Sequence, residues 1–284
     1  MKRLSLLLLL TVVLAAAILG PARLAALGQT ALYSTAREAA RFWAYRSLRD
    51  NLVYEGTGYR IYFEPADEEV VGLVAQTIEK YRGRLSEMLR AQLPEVTVVI
   101  HPDQASLAKA LGWEHERNAV GVYWAGLIRV LSPKAYIADP LSLGGRRTFE
   151  RQGPMVHELT HLIMDYYSAG NYPRWFTEGV AQYVERELTG YEWISPRVDL
   201  TLERYSLREL TTAFDRLTDQ ALAYRQSLSL VTLMVDRIGE EGLARILARL
   251  GQGHPFQQVL AEEIGLSGQS LEEAWTRWLL EETG

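Results

Sequence analysis

The chain has 284 residues, 48% of them hydrophobic, enough to bury a full core as one large domain or two closely packed subdomains. Its net charge of −5, with no basic block, removes the electrostatic case for nucleic acid. It has no cysteine, so disulfides, thiolate nucleophiles and cysteine-held metals are excluded, and any metal must be held by His, Asp or Glu.

Residues 1–28 read as a signal peptide or signal anchor. Met1-Lys2-Arg3 supplies positive charge, and Leu4 to Gly20 is an uncharged run. As a helix it would extend about 25 Å, slightly less than the roughly 30 Å hydrocarbon core of a bilayer. Cleavage near Ala17 or Ala22 gives a secreted protein, and an uncleaved segment gives a membrane anchor, helped by the apolar stretch Leu24 to Leu27. Both leave Lys2 and Arg3 in the cytoplasm and the rest of the chain outside it. Residues 29–56 have helical spacing (Ala36, Ala40, Phe42, Trp43, Leu48) and read as a juxtamembrane helix or connector, which packs on the domain or touches the membrane surface.

The domain proper is expected over 57–284. Tyr59–Phe63 alternates as a strand, 68–93 reads as a long helix, 95–100 as a β-branched strand and 104–112 as a short helix. His101 and His115 have no metal-ligand spacing and read as structural. Two further strands, 120–124 and 127–131, flank Ala125-Gly126 as a hairpin. Residues 134–153, with Gly144-Gly145, read as a loop over a cleft and a candidate lid. Helices are expected over about 207–214, 217–238, 240–250, 255–264 and 269–282. The pattern divides into a sheet subdomain (57–150), a central helix pair (151–188) and a helical subdomain (189–284).

Chemistry concentrates in the helix pair. Gly153-Pro154 opens a helix containing His157-Glu158-Leu159-Thr160-His161. At 3.6 residues per turn the two imidazoles share a face about one turn apart and can grip one metal, while Glu158 flanks it as a general base for water. After a short linker, Ser168 to Tyr172, a second helix carries Glu178, with Thr177 or an earlier polar residue as its cap. Small residues at Gly179 and Ala181 allow close approach of another helix. Antiparallel pairing of the two helices brings Glu178 to the open side of the histidines. Two His and one Glu, with water in the fourth position, is a standard catalytic zinc set.

His157–His161 followed by Glu178 resembles the gluzincin metallopeptidases. His157-Glu-Leu-Thr-His161 with Asp165-Tyr166 is similar to the thermolysin helix, and Trp175-x-x-Glu178-Gly179-x-Ala181-x-Tyr183 is similar to the small peptidase MA-like bacterial group. The resemblance extends from about Tyr59 to the C-terminus and is specific over about 154–185. It implies an α+β, zincin-like fold: an N-terminal mixed sheet with an edge strand, the HExxH helix, and a C-terminal helical subdomain. It further implies Zn²⁺ on His157, His161 and Glu178, Glu158 as base, and an extended peptide paired with the edge strand at Tyr123-Trp124-Ala125-Gly126. Tyr224, or failing it His254, would stabilise the oxyanion. Two departures stand out: the spacing from His161 to Glu178 is short, and Gln182 stands where thermolysin-like enzymes place an aspartate behind a histidine ligand. Gln182, Asp165 and Glu185 are the candidates for that supporting role.

The function implied is a zinc-dependent peptidase acting outside the cytoplasm on peptide or protein substrates, with an endopeptidase favoured because no acidic cluster for a free amine is visible. A non-catalytic zinc-bearing module that binds peptides or envelope proteins, and a tethered structural protein with an accidental motif, remain alternatives.

Overall fold

The computed structural model describes residues 21–113, 119–192 and 199–282. The uncharged run Leu4–Gly20 and His115 lie outside the described residues. The first described element is helix α1, Pro21–Ser47. It passes residue 28 without interruption. Among the described residues no helix is long and apolar enough to cross a membrane.

The sheet begins at β1, Leu52–Gly56, inside the segment read as a connector. β1 pairs antiparallel with β2, Tyr59–Phe63. The expected long helix is α2, Glu68–Met88; it stops sooner than its apolar pattern because the chain turns at Arg90, whose φ of 48° no helix continues. β3 (Val96–His101), α3 (Gln104–Leu111), β4 (Gly121–Trp124) and β5 (Leu127–Leu131) follow. The five strands lie in the order β1-β2-β3-β5-β4, parallel where β2 meets β3 and β3 meets β5, and antiparallel at both ends. This is the expected mixed sheet, and β4 forms one of its edges.

Strand alternation divides the sheet between two layers. Ile61, Val98, Ile100, Ile128 and Val130 face the main core with α2. Val99 and Leu127 face the other way and pack under Ala44 and Leu48 at the end of α1, with Tyr45 and Tyr62 beside them. The sheet is therefore covered on both sides, and α1 belongs to the folded body.

Residues 134–153 are not the expected open loop. They contain helix α4, Leu143–Gln152, whose first turn is capped by Ser142, its Oγ accepting from the Gly145 N–H at 3.0 Å. Phe149 on that helix is fully buried and anchors it in the core. The paired glycines stand in the first turn of this helix, where the cap and the buried phenylalanine outweigh their flexibility.

The central helices are α5, Met155–Ser168, and α6, Arg174–Thr189. The latter starts earlier than expected: Pro173 is its N-cap, so Thr177 and Glu178 lie inside the helix. The helical remainder follows the sequence pattern as α7 (Leu207–Ala213), α8 (Gln220–Gly251), α9 (Phe256–Ile264) and α10 (Gln269–Glu282). A break at Gly239, φ 67°, divides α8 where the sequence separates two helices. Gly179 explains how α6 and α8 approach: a Cβ there would stand 2.3 Å from the Ser227 carbonyl oxygen. Trp175, Phe176 and Phe256 interlock edge-to-face at 5.1 to 5.8 Å and tie α6 to α9.

Candidate active site

Helix α5 carries His157 and His161 on one face, with ring centroids 4.8 Å apart. Helix α6 runs alongside and presents Glu178 to both. One carboxylate oxygen, Oε2, lies 3.3 Å from His157 Nε2 and 3.6 Å from His161 Nε2. The ligand atoms of all three residues fall within 4.8 Å of one another. Donors held about 2.0–2.2 Å from a tetrahedral ion are themselves about 3.3–3.6 Å apart, so both histidine–glutamate separations match a shared metal.

The rest of the set fits a cation equally well. Glu178 is almost wholly buried, and its Oε2 has no hydrogen-bond partner, an arrangement that is costly unless something positive completes it. Its other oxygen, Oε1, is held by Arg174 Nη2 at 2.9 Å, one turn earlier on α6. Burial favours the protonated acid, but His161, Arg174 and His157 outweigh it and hold the Glu178 pKa well below the usual carboxylate range. Burial alone would lower the His157 pKa; the Glu178 and Glu185 carboxylates outweigh it, and the ring is pushed well above the ordinary histidine value.

A ligating imidazole needs its second nitrogen oriented. His161 Nδ1 meets Thr177 Oγ1 at 2.8 Å. His157 Nδ1 faces Glu185 Oε2 at 3.6 Å. Of the three supporting residues expected, only Glu185 takes that place. Gln182 Nε2 donates to the Glu178 and Tyr224 carbonyls, at 3.1 and 2.9 Å, and so fastens α6 to α8. Asp165 instead accepts the Tyr123 hydroxyl and pairs with Arg37, one turn beyond His161. Thr177 and Arg174 were not foreseen in these roles. The signal for Arg174 was available in its i,i+4 spacing to Glu178; none was available for Thr177, whose partner is on another helix.

Glu158, also buried, faces the edge strand. Its Oε2 accepts the Tyr123 backbone N–H at 2.6 Å. A Cβ at Gly121 would fall 3.0 Å from Oε1, so the glycine lets β4 come this close to α5. Burial raises the Glu158 carboxyl above the usual range, opposed by His157 and His161. The hairpin expected at Ala125-Gly126 thus places the backbone of an edge strand directly at this carboxylate.

The same tyrosine is held at its other end. Tyr123 Oη donates to Asp165 Oδ2, two turns along α5. Asp165 is fully buried and also receives Arg37 Nη1 of α1 at 3.3 Å and the Tyr33 hydroxyl. Arg41 Nη1 donates to Tyr166 Oη at 2.6 Å. Helix α1 is thereby bolted to the end of α5 beside the cleft.

Tyr224, on the first turns of α8, lies against Arg174 and near Glu178; burial and the Glu178 charge push its pKa to about 12. The structure therefore brings it to the cluster. His254 is elsewhere, beyond the end of α8 among Arg23, Arg249 and Glu262. His101 is buried and its Nε2 meets Arg129 Nη1 at 3.1 Å, a structural pairing as expected.

A mixed sheet with an edge strand, two packed helices and a His–His–Glu cluster between them define a zincin-like fold. A sequence model described as the Peptidase MA superfamily matches residues 138–281, and the chain belongs to that superfamily. Among solved structures, the crystal structure of Legionella pneumophila aminopeptidase A in complex with aspartic acid is similar to it, with a TM-score of 0.49, 15% sequence identity and cover of 80% of this chain. The likeness spans 27% of that chain's length. A comparison with curated proteins finds no match.

Proposed function

We propose that this chain is a zinc-dependent endopeptidase that cleaves extended peptide or protein segments outside the cytoplasm. The observation that carries this reading is the convergence of two imidazole nitrogens on one oxygen of a buried carboxylate, with a second carboxylate beside it. His157, His161 and Glu178 would hold the ion. When bound, zinc supplies a Lewis acid that activates water and polarises the scissile carbonyl.

The chain's own residues supply the rest. Glu158 takes the proton of the attacking water on one carboxylate oxygen and passes it to the leaving amine. The Tyr123 N–H holds that carboxylate beside the strand edge before substrate arrives. Backbone groups on the free edge of β4 bind an extended segment without reading its side chains, which suits a peptidase of broad sequence preference. The Tyr224 hydroxyl donates to the oxyanion that develops on the carbonyl. Arg174 keeps Glu178 Oε1 occupied, so Oε2 is the oxygen left for the metal. Location outside the cytoplasm rests on Lys2-Arg3 followed by the uncharged run Leu4–Gly20.

The test compares the full chain with Glu158→Gln on a pool of unfolded proteins, with zinc content measured for both. Cleavage by the wild type only, stopped by chelation and restored by zinc, is expected. Two zinc-loaded proteins that both fail to cut would replace this reading with a binding module.

A further inference from the structure

Helix α1 buries one face against the sheet and α5, and leaves the other face apolar. Ala25, Leu32, Ala36, Ala39 and Trp43 are all exposed and follow one another at spacings of seven, four, three and four residues, a single stripe along the helix. Leu32 is 72% exposed, Trp43 67% and the adjoining Phe42 58%. Apolar side chains aligned along one helix, rather than scattered singly, mark a surface with a partner. Arg46 closes the stripe, its guanidinium over the Phe42 and Trp43 rings at 6.0 and 5.6 Å.

Charge selects the partner. From Pro21 to Asn51 the chain carries Arg23, Arg37, Arg41, Arg46 and Arg49 against Glu38 and Asp50; Arg37 and Arg41 turn inward to Asp165 and Tyr166, and Arg46 and Arg49 stay exposed at the end of the stripe. The whole chain is at −5, so the body that follows is strongly acidic. An aromatic helix of net positive charge on an acidic body offers a negative surface a place to bind with less repulsion than the body as a whole gives. A second copy would bring two basic helices together. The uncharged run Leu4–Gly20 directly precedes α1 in the sequence, and an apolar run of that kind is itself suited to a lipid surface. We propose that the Leu32–Phe42–Trp43 face of α1 lies on an anionic lipid surface, with Arg46 and Arg49 at the headgroups, and so sets the orientation of the cleft relative to the membrane. Because α1 is bolted to α5 through Arg37 and Asp165, its contact plane is rigid with respect to the site. The proposal is independent of the chemistry at Glu178: a protein without peptidase activity would still make this contact.

The absence of cysteine permits single-site labelling of the full chain. A polarity-sensitive fluorophore is attached through Ala39→Cys, in the stripe, and separately through Gln76→Cys, on α2 across the sheet. Each protein is mixed with phosphatidylcholine vesicles with and without phosphatidylglycerol. The expected result is a blue shift and several-fold brightening at position 39 on anionic vesicles, weakened by salt and absent at position 76. The triple variant Leu32→Ser/Phe42→Ser/Trp43→Ser should lose that response while its thermal unfolding remains cooperative. No change at position 39 on any vesicle, an equal change on neutral and anionic vesicles, or a concentration-dependent change without vesicles would overturn the proposal, the last pointing to a second copy.

Discussion

The two walls of the cleft are built differently. On one side, α5 and α6 bring His157, His161 and Glu178 together across a five-residue turn from Ala169 to Pro173, a local hairpin of helices. On the other, β4 is held by Glu158 and Asp165, and Asp165 is held by Arg37, 128 residues away in sequence. A short connection makes the first wall robust to change elsewhere. The second depends on α1 and the sheet being in place. Loss at the first wall should abolish chemistry with the fold intact, and loss at the second should weaken both.

The largest effects are expected at the first wall. Glu178→Ala should remove bound metal, leave activity at background and erase the rise in melting temperature that zinc gives the wild type; unchanged metal content by elemental analysis would break the assignment. Glu158→Gln should retain the metal and lower kcat by about 10³, within the usual 10²–10⁴ of a general base. Tyr224→Phe should cost on the order of 10² in kcat with KM little changed, the signature of a group that acts on the oxyanion; a pure KM effect would assign it to substrate binding instead.

Smaller effects sharpen the contrast. Tyr123→Phe keeps the backbone N–H at Glu158 but removes the bond to Asp165. It should destabilise by about 2 kcal/mol in denaturant titrations, since the acceptor is charged and buried. Activity should fall by roughly tenfold as β4 loosens. If stability falls and kinetics do not, the pin is structural only. The sheet interior should change stability with pH and leave activity unchanged. Burial, with Arg129 beside it, lowers the His101 pKa to about 4. The folded state keeps the ring neutral while the unfolded chain protonates it below about 6.5, so stability is complete above that pH and declines as pH falls towards 4. The loss is of the order of 3 kcal/mol at most, and His101→Gln should flatten that part of the stability–pH curve.

Much of this was legible before any coordinates. Strand 59–63, the hairpin at Ala125-Gly126 and the five C-terminal helices carry their periods and turn residues in their own sequence. The HExxH spacing is a property of one helix and needs no partner to be read. The misreadings share a cause. Residues 134–153 read as a loop because Gly144-Gly145 and the arginines suppress the helical pattern; Phe149 overrides them by burial in a core formed from distant segments. Thr177 or an earlier polar residue read as the cap because such side chains favour that position, whereas Pro173 starts the helix and Thr177 turns to His161. Gln182 read as a histidine partner by analogy of position, and the proximity of α8 draws it away.

Sequence alone determined which side chains are available to hold a metal, the absence of thiol chemistry and the pairing of two imidazoles on one face, because these depend on composition and helical geometry. Only the tertiary structure decided which oxygen of Glu178 stays free, that Thr177 and Glu185 orient the rings, that Arg174 and Tyr224 share the cluster, and that α1 locks Asp165 to the edge strand. Those choices are contacts between residues far apart in the chain. They are settled when burial brings polar groups together and each must find a partner or be left without one.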